Sequence, residues 1–173
     1  MMTHPLISAI TLIAVDNAEM VCDASIFLLF FGKIEEEVII QTGYSTYEPK
    51  YCEGQKMFQY EEMDALIKEA SIVITHGGPA TFLHVIQNGK VPIVVPRSVE
   101  YGEHVNDHQV EFVKFLSDKM NTIIPVYDVE KLEEILEKYH FISKKKSMKE
   151  SSNNERFCQK FEEIVNELVK NSE

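Results

Sequence analysis

Apolar and polar positions alternate along this 173-residue chain in two registers, short continuous apolar runs and longer stretches with helical spacing. Leu6–Val15 reads as a first strand, and Ala18–Phe31 as a helix, although Ile26–Phe31 also suits a strand. Glu37–Gln41 reads as a buried strand, Thr42–Gly54 as a loop and Lys56–Gln59 as a short strand. Met63, Leu66, Ile67 and Ala70 share one face of a helix over Tyr60–Ala70. Ser71–Thr75 is a strand, Pro79–Asn88 a helix stopped by Gly89, and Val91–Val95 a strand closed by Pro96. A polar loop over Arg97–Val105 leads into a helix over Asn106–Lys119, with Val110, Val113 and Leu116 inward. Thr122–Val126 is the last strand, and Asp128 is placed to cap a helix over Val129–Tyr139.

Strands that alternate with helices and are apolar throughout predict a parallel sheet covered on both faces, an α/β three-layer, Rossmann-like fold. One domain spans 1–173, with a core over 33–141, a polar linker over 142–155 and a last amphipathic helix over 156–170. No repeat breaks this plan.

Composition narrows the function. A net charge of −11 argues against nucleic-acid partners and against attachment to anionic lipid. Cys22, Cys52 and Cys158 are odd in number and far apart, which suggests a reducing compartment rather than a disulfide framework. No Cys/His cluster has zinc spacing, so no metal is expected. Residues 1–32 contain no Lys or Arg, although the chain has 17 of them. The apolar runs there are too short to span a bilayer and lack the basic start of a secretory signal. A buried strand and helix account for them; a partner-facing or membrane-surface segment is the alternative.

The candidate chemistry lies where strands end. Thr75-His76-Gly77-Gly78-Pro79-Ala80-Thr81 turns from a strand into a helix. Glycines allow close backbone approach, proline suits the first helical turn, and a helix N-terminus presents amide donors and partial positive charge. Such a corner can hold a phosphate or diphosphate. It also serves as a plain connection in many α/β proteins. It is neither the Walker pattern nor the dinucleotide fingerprint. A second rim segment, Asn106-Asp107-His108-Gln109, opens a helix with side chains that can donate to and accept from sugar hydroxyls. Asp107 suits an N-cap as well as a ligand contact, and Glu103 and Glu111 read as solvated carboxylates. Ligands of parallel sheets bind beyond the carboxyl ends of the strands, where both segments fall.

Together with Gly89-Lys-Val-Pro-Ile-Val-Val-Pro96, these two segments resemble the C-terminal, donor-binding domain of family 28-type glycosyltransferases over roughly residues 36–139. The likeness is closest to small donor subunits of split enzymes, the bacterial PssE-like and EpsF-like exopolysaccharide subunits and the eukaryotic UDP-GlcNAc transferase subunit. It implies one half of a GT-B fold. In it, His76, Gly77, Gly78, Pro79, Ala80 and Thr81 would hold the donor diphosphate, and Asp107, His108 and Gln109 would face sugar and ribose. Phe58 and Gln59 would lie near the uracil, and His84 stands where many relatives carry a ribose-binding Glu. The resemblance further implies hexose transfer, of galactose or GlcNAc, from a UDP-sugar to a lipid-linked saccharide. It implies no cofactor, no metal and no nucleic acid. A membrane-associated acceptor-binding subunit would supply the catalytic base and bring a cytoplasmic chain to the inner face of the plasma membrane. Residues 1–32 depart from the family, because Ile13-Ala-Val-Asp-Asn17 lacks the glycine turn that relatives place beside the donor. A shifted reading frame or a degenerate gene would explain that departure and would impair donor binding. Two further readings stay open: a non-catalytic activator of a partner glycosyltransferase, and an unrelated α/β phosphate-binding protein.

Overall fold

In the computed structural model, the described residues are 9–13, 37–43, 53–97, 107–119 and 121–146. Six parallel strands form one sheet: β1 (Ala9–Ile13), β2 (Glu37–Gln41), β3 (Glu53–Gln55), β4 (Ile72–His76), β5 (Ile93–Val95) and β6 (Ile124–Pro125). Their spatial order is β3-β2-β1-β4-β5-β6. The order reverses between β1 and β4, where Thr11 lies opposite Val73 and Ile13 opposite Thr75. Among the described residues the helices are α1 (Tyr60–Glu69), α2 (Pro79–Gln87), α3 (His108–Lys119), α4 (Leu132–Glu137) and α5 (Tyr139–Lys144), with a 3-10 turn at Val129–Lys131.

Period-two alternation divides the central strands between two cores. Ile72, Ile74, Ile93 and Val95 join Val38, Ile40, Leu132, Leu136 and Tyr139 on one face. Val73 points the other way, to Ile67, Ala70 and Val85 of α1 and α2. Val94 packs with Phe82 and Val113 of α2 and α3. Helices therefore cover both faces, and the continuous apolar runs follow from burial on both sides.

The periodic segments form where the sequence places them, and the differences have local causes. The third strand lies at Glu53–Gln55, before the expected Lys56–Gln59, and all three of its residues are exposed. Its position comes from main-chain pairing to β2, with Ile39 opposite Glu53 and Gln41 opposite Gln55, so no apolar signal marks it. The expected helix over Val129–Tyr139 is broken. Asp128 does accept from the Glu130 N–H at 3.1 Å, but only a 3-10 turn follows before α4. Lys138 then leaves helical geometry at φ −99° and ψ 3°, and the chain re-enters a helix through Lys144, past the expected start of the polar linker. The helices expected over Ala18–Phe31 and Arg156–Lys170, the Ile13–Asn17 turn beyond Ile13 and most of the Arg97–Val105 loop lie outside the described residues.

Two anchors fix the frame. Gly89 adopts φ +74° and terminates α2. Its N–H donates to the Ile86 carbonyl, and the Lys90 N–H donates to the Val85 carbonyl, a pairing that satisfies the last carbonyls and favours glycine. The Lys90 ammonium reaches back to the Lys68 carbonyl at 2.7 Å and to the Ala70 carbonyl, tying the end of α1 to the β5 approach. Partial burial there lowers the lysine pKa.

On the opposite face, the buried Tyr139 hydroxyl donates to the Val91 carbonyl at 2.8 Å. Burial pushes its phenol up to about 12 from an ordinary 10.0. The unfolded chain therefore ionises first: this stabilisation is intact below pH 10 and lost as pH rises to about 12. Tyr139→Phe should cost about 1 kcal/mol at neutral pH, because the Val91 carbonyl loses its donor. It should also reduce the loss of stability above pH 10. Denaturant unfolding of both proteins at neutral and alkaline pH checks the pair of outcomes.

Candidate functional site

The strand reversal leaves a crevice beyond the carboxyl ends of β1 and β4, and β4 ends at His76. His76, Gly77 and Gly78 occupy that point, and Pro79 starts α2 at its first helical position. Gly78 is the N-cap with φ −72° and ψ 123°, and no side chain caps the helix. Several residues share the work at this end. Pro79 has no N–H. The Gly78 N–H donates to His76 Nδ1 at 2.8 Å. Ala80 and Thr81 keep first-turn amides without an intrahelical acceptor. Because His76 Nδ1 accepts, the ring proton belongs on Nε2, the tautomer that makes that nitrogen a donor.

Both glycines are favoured by close contacts rather than by unusual dihedrals. A Cβ on Gly78 would lie 2.1 Å from His76 Cε1 and 2.7 Å from Nδ1. A Cβ on Gly77 would meet Gln109 Cβ at 3.0 Å and Pro96 Cβ at 3.1 Å. The strand end, the Pro96 turn and the start of α3 thus touch at one bare backbone position.

Gln109 closes that contact. Its Oε1 accepts the Arg97 N–H at 3.1 Å, stapling α3 to the turn after β5. The oxygen of this amide is therefore structural. His108 and Glu111 lie one helical turn apart, with His108 Nδ1 3.7 Å from Glu111 Oε2 and both side chains more than three-quarters exposed. Asp107 immediately precedes α3, and its carbonyl accepts the Glu111 N–H at 2.9 Å. A cleft of about 560 Å³ joins these parts, lined by Gly77, Pro79, His108, Gln109, Glu111 and Phe112. Its lining is mostly apolar.

Phe58 and Gln59 lie further along the strand-end rim, on the β2–β3 side. The Phe58 N–H donates to Gln41 Oε1 at 2.9 Å. Phe58 lines a smaller cleft of about 160 Å³ with Ile39, Gly54 and Leu66. Gln59 is exposed and is the N-cap residue of α1. The structure thus brings His108 and Gln109 to the glycine corner, leaves Phe58 in a separate cleft and leaves Gln59 exposed beside it in sequence. Sequence reasoning missed two residues. Gln41 is 8 % exposed and positions the Phe58 backbone; its signal was a lone amide closing the apolar run Glu-Val-Ile-Ile. Phe112 lines the main cleft, yet on a helical wheel it reads only as an exposed aromatic.

His84 is turned from the cleft toward α1. Its Nε2 lies 2.8 Å from Asp64 Oδ1, and its ring stacks on Tyr60 with centroids 5.4 Å apart. Asp64 also accepts from Lys68 at 2.5 Å. The Lys68 ammonium first, then the imidazole, hold this carboxyl below the usual range. The arrangement joins α1 to α2.

A profile of the glycosyltransferase family 28 C-terminal domain matches residues 6–168. The chain belongs to this family. No curated protein matches its sequence. Among solved structures, MurG of Acinetobacter baumannii is similar at 18% identity and a TM-score of 0.51, over 79% of this chain and 42% of MurG. The glycosyltransferase of kitacinnamycin is similar at 14% identity and a TM-score of 0.50, over 77% of this chain and 35% of that one. The chain thus spans less than half of each of these proteins, and the likeness shows a shared fold, one Rossmann-like half of a GT-B architecture. Among the described residues, no helix is long and apolar enough to cross a membrane.

Proposed function

We propose that this family 28 domain is the nucleotide-sugar-binding subunit of a split, inverting glycosyltransferase. It transfers a hexose, galactose or GlcNAc, from a UDP-sugar to a lipid-linked saccharide in capsule or exopolysaccharide synthesis, in the manner of PssE-like subunits. A membrane-associated partner binds the acceptor, supplies the general base and holds the chain at the inner face of the plasma membrane. The observation that carries this reading is the uncapped start of α2 at the strand-order reversal, opening into the cleft beside α3.

The chemistry follows from what the corner presents. The Ala80 and Thr81 amides and the helix dipole stabilise charge that builds on the departing diphosphate. His76, oriented by its bond from Gly78, adds a donor at the same point. His108 and the Gln109 NH₂ group meet sugar or ribose hydroxyls. Asp107 sits at the α3 start beside them. Phe58, from the second cleft, and Gln59 next to it in sequence serve the uracil, which requires the nucleotide to run along the rim toward β2.

Isothermal titration with UDP tests the site. His76→Ala should weaken binding by about 1–3 kcal/mol, since a charge-assisted bond to phosphate is lost. Unchanged affinity would remove His76 from it. A non-catalytic activator is the second reading, favoured by the Gly78 N–H being satisfied within the chain rather than left for phosphate. Such a protein would bind no UDP, alone or with its partner.

A further inference from the structure

The main cleft carries more apolar surface than diphosphate or ribose recognition requires. It is lined by Gly77 and Pro79 of the glycine corner and by Phe112, His108, Gln109 and Glu111 of α3. Phe112 is 37% exposed although it lies on a helix whose Val113 is fully buried. It is also held in place: its ring lies 6.1 Å from that of Phe82, tilted by 38°, and Phe82 has no exposure at all. A rigid aromatic face is thus presented to the cleft at little entropic cost to a ligand. The cleft combines this apolar surface with hydrogen-bonding groups from the same helix, His108 lying one turn before Phe112.

We infer that Phe112 is the platform on which the donor hexose stacks, and that the cleft prefers the galacto configuration. The inference rests on the nucleotide-sugar reading above and deepens it. A pyranose is itself two-faced, with C–H groups on a face and hydroxyls around the edge. In galactose, the hydrogens on C3, C4 and C5 share one face, because the 4-hydroxyl is axial and points away. That face is broader than any offered by glucose, and burying it against the ring removes apolar surface from water. Gly77 and Pro79 belong both to the phosphate corner and to the cleft, so a sugar on the distal phosphate enters alongside Phe112. The hydroxyl edge then meets His108, the Gln109 NH₂ group and Glu111.

Titration of the full chain with UDP, UDP-galactose and UDP-glucose separates the alternatives. Phe112→Ala should weaken UDP-galactose about three- to tenfold, the range of an aromatic contact, and leave UDP unchanged. Phe112→Tyr keeps the ring and should keep wild-type affinity. Phe112→Leu maintains packing on Phe82 and should behave like alanine toward UDP-galactose, which covers the case in which Phe112→Ala fails to fold. The wild-type preference for UDP-galactose over UDP-glucose should vanish in the leucine variant. Equal weakening of UDP and UDP-galactose would put the ring against the nucleoside and overturn the proposal. So would wild-type binding of both UDP-sugars with equal affinity. A wild-type chain that binds no UDP at all would instead overturn the nucleotide-sugar reading on which the platform depends.

Discussion

Phe82→Ala should lower the unfolding free energy by about 3–5 kcal/mol, the cost of emptying a phenylalanine site in a packed core. Phe82 has no exposed surface and packs with Val94, Val113 and Ile123, so it joins α2, β5, α3 and the approach to β6. Few neighbours there can collapse inward, because Val94 is fixed by the sheet and Val113 by its helix. The second consequence is local. The Phe82 ring supports Phe112, so its loss should loosen the cleft wall as well as the core. Phe82→Leu should cost less than half as much, since it keeps most of the volume. Urea unfolding of the three proteins measures this series, and a loss below about 1 kcal/mol for alanine would show that the α2–α3 contact is not close-packed.

Gly78→Ala should be damaging for a reason that disappears when one other residue is removed. At φ −72° and ψ 123°, Gly78 has a backbone conformation open to any L residue. Alanine should even gain slightly there by restricting the unfolded chain. The obstacle is the His76 ring, with Cε1 only 2.1 Å from the added Cβ. The ring must rotate away, which breaks the bond from the Gly78 N–H and empties the position beside the helix start. We expect Gly78→Ala to cost about 1–3 kcal/mol, the range for overpacking a tight site, and to weaken UDP as much as His76→Ala does. In the double variant, no ring is left to clash. It should be no less stable than His76→Ala alone, giving a large interaction energy in a double-mutant cycle. Additive losses would show that Gly78 is needed for something other than the imidazole.

Much of this was legible in order of periodicity. Ile72–His76, Pro79–Gln87 and Tyr60–Glu69 stand where apolar spacing and the Gly89 stop predict them, because both their local preference and their packing favour one answer. β3 was not, since Glu53–Gln55 is an exposed edge whose only specification is the backbone ladder to β2. The interruption at Lys138 was invisible for a related reason: Tyr139 is directed inward by a partner 48 residues away, the Val91 carbonyl. The glycine corner was recognisable as a unit. That His76 bonds its own loop, that Gln109 is half committed to Arg97, and that Phe58 faces a second cleft depend on contacts across 2, 12 and 17 residues.

The order of apolar runs and the turn residues were sufficient by themselves to specify a parallel α/β domain, and the −11 charge to argue against a nucleic-acid partner. These properties are local or compositional, and each residue carries its own share of them. Which side chains share one cleft was decided only in three dimensions. The reversal of strand order beside β4 sets the Pro79 turn against the first turn of α3, and burial of Phe82 holds Phe112 at its edge. No periodicity encodes such neighbours, because their proximity arises from how the sheet is ordered and how the two helices pack on it.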